Sequence, residues 1–100
     1  MSFELRITSR AEADIVAEFE WYEARSPGLG VAFVRCVDAA IETIQRSPTI
    51  FRPRVGDFRL ATTARFPYGV YFLVNERTNL VSVRRVLHFA RNRETYLRRA

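Results

Sequence analysis

One hundred residues with 48% hydrophobic and 27% charged side chains make one globular domain, 1–100, and exclude collagenous, low-complexity and disordered classes. The longest apolar stretch, Gly69 to Val74, is far short of the ~20 residues that cross a bilayer; with no apolar signal core and a single cysteine, Cys36, the expectation is a cytoplasmic protein without membrane attachment. All sixteen basic residues are arginine: residues 1–44 carry four against eight acids, a net of −4, and residues 45–100 carry twelve against three, a net of +9, which points the C-terminal half toward nucleic acid or an acidic protein.

Phe3 to Thr8 alternates with the period of a half-buried strand, Phe3, Leu5 and Ile7 inward. Ser9-Arg-Ala-Glu12 has the spacing of a capping box with Ser9 as the N-cap. The helix that follows turns Ile15, Phe19 and Tyr22 to one face and Asp14, Glu18, Glu20 and Glu23 outward. Trp21-Tyr22 is expected to pack in the helical hairpin. Ser26-Pro-Gly-Leu-Gly30 breaks the chain into a turn. A second helix runs from about Gly30 to Arg46, with Phe33, Val34, Val37, Ala40, Ile41 and Ile44 as its apolar stripe, and Ser47-Pro48 ends it.

Ser47 to Asp57 is predicted to be a loop, with Arg52 and Arg54 on either side of Pro53. Three strands follow, at about Phe58 to Thr62, Ala64 to Asn75 and Leu80 to Phe89, the last two joined by the hairpin loop Glu76 to Asn79. Arg65-Phe66-Pro67-Tyr68 is expected to lead into an edge strand, since Pro67 cannot donate to a ladder. Glu94 to Arg99 is one closing helical turn. The order is β-αα-βββ, an α+β domain with a helical hairpin packed on one face of a mainly antiparallel four-stranded sheet. In the last strand Val81, Val83, Leu87 and Phe89 are placed against the helices, and Arg84, Val86 and His88 on a solvated face. Arg85 interrupts this alternation, so a bulge near Arg84 and Arg85 would reverse part of it.

Ala13-Asp14-Ile15, Trp21-Tyr22, Pro27-Gly28-Leu29-Gly30 and Phe33, with Ile44, Pro48, Arg59, Arg65-Phe66-Pro67-Tyr68, Val86-Leu87-His88, Arg91 and Arg98, resemble in order the RelE/ParE toxin superfamily. The resemblance covers nearly the whole chain and is nearest the ParE-like, plasmid-stabilisation branch. It implies a toxin of a type II toxin–antitoxin module with a cognate antitoxin, reaching operator DNA only through that antitoxin. It also implies one of two activities, inhibition of DNA gyrase as in ParE-type members or ribosome-dependent mRNA cleavage as in RelE-type members. A third reading is a non-toxic member that binds its antitoxin alone.

RNA cleavage needs a group to take the 2′-hydroxyl proton, cations for the phosphate, and an acid for the leaving oxygen. The candidates are Arg59, His88, Arg91 and Tyr96. His88 is the only side chain whose ordinary pKa lies near neutrality, and a hydrogen-bonded structural role competes with a catalytic one. Tyr96 equally suits a short helix packed back on the core. Arg52, Arg54, Arg65, Arg84 and Arg98 are candidates for contact with a partner or nucleic acid. No Cys/His spacing suits a metal and no glycine-rich loop suits a phosphate, so no metal and no cofactor is expected. Cys36 lies beside the apolar stripe of the second helix and reads as a small buried hydrophobe.

Overall fold

The structure, a computed structural model, describes residues 3–98. Strand β1 (Glu4–Ile7) leads into helices α1 (Ser9–Arg25) and α2 (Leu29–Arg46), then a short 3-10 turn (Pro48–Ile50). Strands β2 (Pro53–Val55), β3 (Phe58–Thr62), β4 (Tyr68–Asn75) and β5 (Leu80–His88) and the short helix α3 (Arg93–Leu97) complete it. The sheet order is β1-β5-β4-β3-β2, with β1 parallel to β5 and every other pair antiparallel. The helical hairpin thus carries the chain from one sheet edge to the other, and a meander returns it to β1.

The sheet has five strands, one more than the sequence predicts. The extra one, β2, lies inside the expected loop. It is three residues long, begins at Pro53 and occupies an edge, where a proline's missing N–H costs no ladder bond. β4 is the middle strand, not an edge. Pro67 stands just before it, after a turn in which Arg65 takes φ 72° and Thr63 donates its hydroxyl to the Phe66 carbonyl (2.6 Å).

Thr8, not Ser9, caps α1. Its backbone is extended (φ −69°, ψ 159°) and its Oγ1 accepts from Ala11 N at 3.2 Å, whereas Ser9 is already helical. The same hydroxyl donates to the Arg84 carbonyl (3.2 Å), tying the helix start to β5. Between the helices Gly28 takes φ 90°, and Glu23 accepts from Gly28 N and Gly30 N, both at 2.9 Å. Those two bonds hold the Glu23 carboxyl below its ordinary value, the Gly28 N–H contributing most. Gly30 marks the closest approach of the helices, since a Cβ there would lie 2.6 Å from the Phe19 carbonyl oxygen.

The core between hairpin and sheet holds the expected α2 stripe of Phe33, Val37, Ala40, Ile41 and Ile44, packed on Val70, Phe72, Val81 and Val83. Tyr22, Phe33, Phe66 and Tyr68 form an aromatic group, with Phe33 and Tyr68 edge to face at 4.8 Å. Cys36 packs against this core half-buried. Trp21 departs from expectation: it is 48% exposed, and the Arg25 guanidinium lies 3.5 Å from its ring centre. Three of the four acids assigned to the outer face of α1 are engaged. Glu23 closes the hairpin, and Asp14 and Glu18 face β5 and β4.

Register explains the Arg85 anomaly. Tyr71 pairs with Arg85 and Phe72 with Val83, so Arg84 has no cross-strand partner and forms a bulge. Beyond it the faces exchange. Val86 joins the core under the helices and Leu87 turns to the far side, the reverse of the plain alternation. That far face is not simply wet. Tyr71, Leu87 and Leu97 are buried there among Val55, Phe58, Leu60 and Tyr96, under α3. The predicted closing turn, Glu94 to Arg99, is this helix; Arg99 lies outside the described residues.

Candidate functional site

The bulge divides the polar chemistry into two depressions. The first, of about 180 Å³, lies between α1 and the end of β5, lined by Asp14, Glu18, Tyr68, Arg85, His88 and Arg91. Past Ile7, the last β1 residue paired to β5, α1 supplies the ladder contacts: Asp14 Oδ2 accepts from Val86 N at 2.9 Å. The same carboxylate takes Arg85 in a two-pronged pair, Nε at 2.7 Å and Nη2 at 3.0 Å. Both side chains are largely buried, 10% and 16% exposed. Arg85 also donates to the Tyr96 carbonyl (3.4 Å), so one guanidinium joins α1, β5 and α3. Its affinity for its proton is raised, chiefly by the Asp14 hydrogen bond.

His88 stands beside this pair, on the helix side of the sheet. It was expected on the solvated face, and the bulge is what moves it. Its ring meets Tyr68 edge to face at 5.1 Å, and its Nδ1 accepts from Ala90 N at 2.9 Å. The Tyr68 hydroxyl donates to the Glu18 carboxylate. Burial first, and that hydrogen bond second, push the Tyr68 hydroxyl far above its ordinary value, so it stays protonated. Arg91 donates Nη1 to the Tyr96 hydroxyl at 3.1 Å, and its guanidinium lies 5.5 Å from that ring centre.

His88, Arg91 and Tyr96 therefore gather as one group, and Arg59 does not join them. Arg59 pairs with Phe72 and His88 with Tyr68, four residues apart along β4, or about 13 Å of strand. The chemistry of the group is narrow. With Nδ1 accepting from a backbone N–H, the neutral imidazole carries its proton on Nε2 and presents a donor, not a base. One Arg91 nitrogen donates to Tyr96, and one oxygen of the Glu18 carboxylate accepts from Tyr68.

The second depression, of about 470 Å³, lies at the hairpin end of the sheet and includes Arg59, Arg84, Asp57, Asn75 and Ser82. Arg59 donates Nη1 to the Phe51 carbonyl at 2.8 Å, and its Nη2 is 4.0 Å from Glu76. Of the remaining candidates, Arg52, Arg54, Arg65 and Arg98 are exposed at separate points: beside and on β2, on the turn before β4, and at the end of α3. Spacing alone passes over Asp14, Glu18, Tyr68 and Arg85. The signals were Arg85 standing on an otherwise apolar strand face, and Asp14 and Tyr68 within the strings that carry the family resemblance. Among the described residues no group of three His, Cys, Asp or Glu gathers to hold a metal, and no helix is long and apolar enough to cross a membrane.

Residues 5–93 match the family model described as the ParE toxin of the type II toxin–antitoxin system parDE. The chain belongs to the ParE toxin family. Among solved structures, the fold of this ParE-family chain is similar to a chain of the chromosomal ParDE toxin–antitoxin system from P. aeruginosa. The TM-score is 0.75 at 20% identity, over 86% of this chain and 95% of that one. It is also similar to a chain of a RelBE toxin–antitoxin complex from Mycobacterium tuberculosis, with a TM-score of 0.51 at 16% identity, over 88% and 99% of the two chains. At these identities the likeness is one of fold. No curated protein matches by sequence. Within the ParE-family segment, Asp14 is the residue that takes Arg85, Gly30 is the helix crossing, and His88 is the ring packed on Tyr68.

Proposed function

We propose that this ParE-family toxin arrests growth by binding and inhibiting DNA gyrase, and that a cognate antitoxin holds it inactive. The observation that supports the choice of target is the state of His88: its Nδ1 lone pair is taken by Ala90 N–H, so the neutral imidazole offers a donor rather than a free lone pair to a 2′-hydroxyl. The family match and the higher likeness to a ParDE chain support the same branch. The relatives in solved structures are toxin–antitoxin assemblies, which supports an antitoxin partner here. In this reading the protein acts in the cytoplasm, reaches operator DNA only through the antitoxin, and meets its partners with Arg52, Arg54, Arg65, Arg84 and Arg98.

One observation favours a second reading. His88, Arg91 and Tyr96 do converge, as an RNA-cleaving site would require. Purified gyrase and relaxed plasmid separate the two. Inhibited supercoiling in proportion to added toxin is the expected result. Undisturbed supercoiling, together with ribosome-dependent cleavage of mRNA that His88→Ala abolishes, would replace the gyrase reading with the nuclease one.

A further inference from the structure

The two edges of the sheet are built differently. The β2 edge begins at Pro53, which has no N–H to offer, and its pairing with β3 slips between Pro53 and Val55. A proline and an irregular register keep an edge from recruiting another strand. The β1 edge has neither. Its residues pair regularly with β5, from Glu4 opposite Leu80 to Ile7 opposite Val83. Glu4 N donates to the Asn79 carbonyl (2.8 Å) and Thr8 N to the Val83 carbonyl (3.0 Å), so the even-numbered residues point their backbone groups at β5. Those of Leu5 and Ile7 point away, and among the described residues no hydrogen-bond partner meets them. At the start of this edge Gln45 Nε2 donates to the Phe3 carbonyl at 3.2 Å. Ile7, although in a strand, is 37% exposed.

The side chains of this edge are complementary to themselves. Laid antiparallel on a second copy with Leu5 at the two-fold axis, Leu5 faces Leu5, Phe3 faces Ile7, and Glu4 faces Arg6. The apolar pairs fall on one face of the strand and the charged pairs on the other, as the two-residue period requires. Phe3 and Leu5 lie partly buried beside the core, whereas Glu4 and Arg6 are exposed. Within one chain these two charges touch at 3.4 Å in the open, a contact that is weak and readily exchanged. The outward N–H and C=O of Leu5 meet those of the second copy's Leu5 as a hydrogen-bonded pair. Those of Ile7 meet Phe3, whose carbonyl keeps a second lone pair beside the Gln45 bond. A shift of two residues in either direction sets Glu4 against Glu4 or Arg6 against Arg6, so charge fixes the register.

We propose that the β1 edge pairs with the β1 edge of a second copy of this chain, joining the two sheets edge to edge in a two-fold dimer. The contact is isologous and uses each β1 edge once, and Pro53 blunts the opposite edge, so association stops at two. Two chains of net charge +5 repel each other in general, and this edge is where charge balances residue for residue. Phe3 to Ile7 is a short segment, and an interface of this size belongs to the class of transient complexes. The dimer is a property of the free chain and does not depend on which target the toxin inhibits.

Sedimentation of the full chain from about 10 μM to about 1 mM spans the affinities that such an interface gives. The mean mass is expected to rise from 11.6 kDa toward twice that value. Glu4→Arg and Arg6→Glu each turn both charge pairs of the dimer from attraction to repulsion, and each is expected to weaken association at least about tenfold. An equimolar mixture of the two variants restores it, because each presents the charge that the other lacks; circular dichroism checks that both are folded. A second readout needs no variant. In the wild-type chain the Leu5 and Ile7 amides gain protection from hydrogen exchange as concentration rises, and the Glu4 amide, already bonded to Asn79, does not change. A chain that stays at 11.6 kDa, with exchange at Leu5 and Ile7 independent of concentration, would overturn the proposal. Undiminished association by both variants, or a mixture no stronger than either variant alone, would overturn it too. A monomeric chain whose Glu4→Arg variant loses binding to the protein encoded beside its gene would assign the edge to that partner and refute the dimer.

Discussion

Asp14→Asn removes a charge from the most enclosed ion pair in the fold. Asp14 accepts from Arg85 Nε, Arg85 Nη2 and Val86 N at 2.7, 3.0 and 2.9 Å, and both side chains of the pair are at most 16% exposed. Asparagine preserves the shape but turns an amide toward a guanidinium that has lost its counter-charge. Breaking a buried pair from one side costs about 3–5 kcal/mol, because the remaining charge stays desolvated. Asn keeps one acceptor, so we expect about 3 kcal/mol, a large part of the ~5–15 kcal/mol that holds a domain folded. At ~4–8 °C per kcal/mol for a domain of this size, the melting temperature falls by about 12–24 °C. Urea unfolding followed by far-UV circular dichroism measures the change. Glu42→Gln is the comparison: its pair with Arg46 is 3.7 Å long and 71–80% exposed, and its loss costs no more than about 0.5 kcal/mol. Replacing both partners with apolar residues, Asp14→Leu with Arg85→Met, is expected to cost less than Asp14→Leu alone. An Asp14→Asn cost below about 1 kcal/mol would refute the claim that this pair fastens α1, β5 and α3 together.

Gly30→Ala places a Cβ 2.6 Å from the Phe19 carbonyl and forces the helices apart; calorimetry is expected to show a loss of about 2 kcal/mol. Glu23 has a folded value lowered from 4.5 by its bonds to the hairpin backbone, so it stabilises the fold above the ordinary carboxylate range and that contribution fades as pH falls through the lowered value. Glu23→Gln is therefore less stable than wild type at pH 7, and denaturation curves of the two converge in acid. Tyr68→Phe leaves the Glu18 carboxylate without its donor beside the His88 ring and is expected to destabilise the chain by about 1–3 kcal/mol in thermal unfolding. His88→Ala is expected to leave growth arrest intact in induced cells, since the gyrase reading asks of the ring only its packing on Tyr68 and its bond from Ala90 N.

The helical hairpin, the strand pair around Glu76 to Asn79 and the order of elements were legible because each shows its own period over many residues. β2 was not, since three residues around a proline carry no period, and its pairing to β3 arises only in the sheet. The two faces of β5 were half legible. Arg85 announced an irregularity, but which of two adjacent residues bulges depends on the register with Tyr71 and Phe72. The acids of α1 were misplaced because helical spacing separates one apolar stripe from the rest. Asp14 and Glu18 lie at the margin of that stripe, where the ends of β5 and β4 approach. Thr8 overtook Ser9 as cap because β1 ends at Ile7, one residue earlier than the alternation suggests, so the helix begins at Ser9 and Thr8, extended and with its N–H bonded to the Val83 carbonyl, holds the capping position. Of the candidate site, the convergence of His88 with Arg91 and Tyr96 followed from their nearness along the chain, and the isolation of Arg59 from sheet geometry that spacing does not contain.

The most direct measurement is pulse labelling of cells within minutes of inducing this gene without its antitoxin, following thymidine and methionine incorporation separately. Inhibition of gyrase predicts an early fall in thymidine incorporation while methionine incorporation continues. An early fall in methionine incorporation with DNA synthesis still running would contradict the gyrase reading and return His88, Arg91 and Tyr96 to the centre of the mechanism.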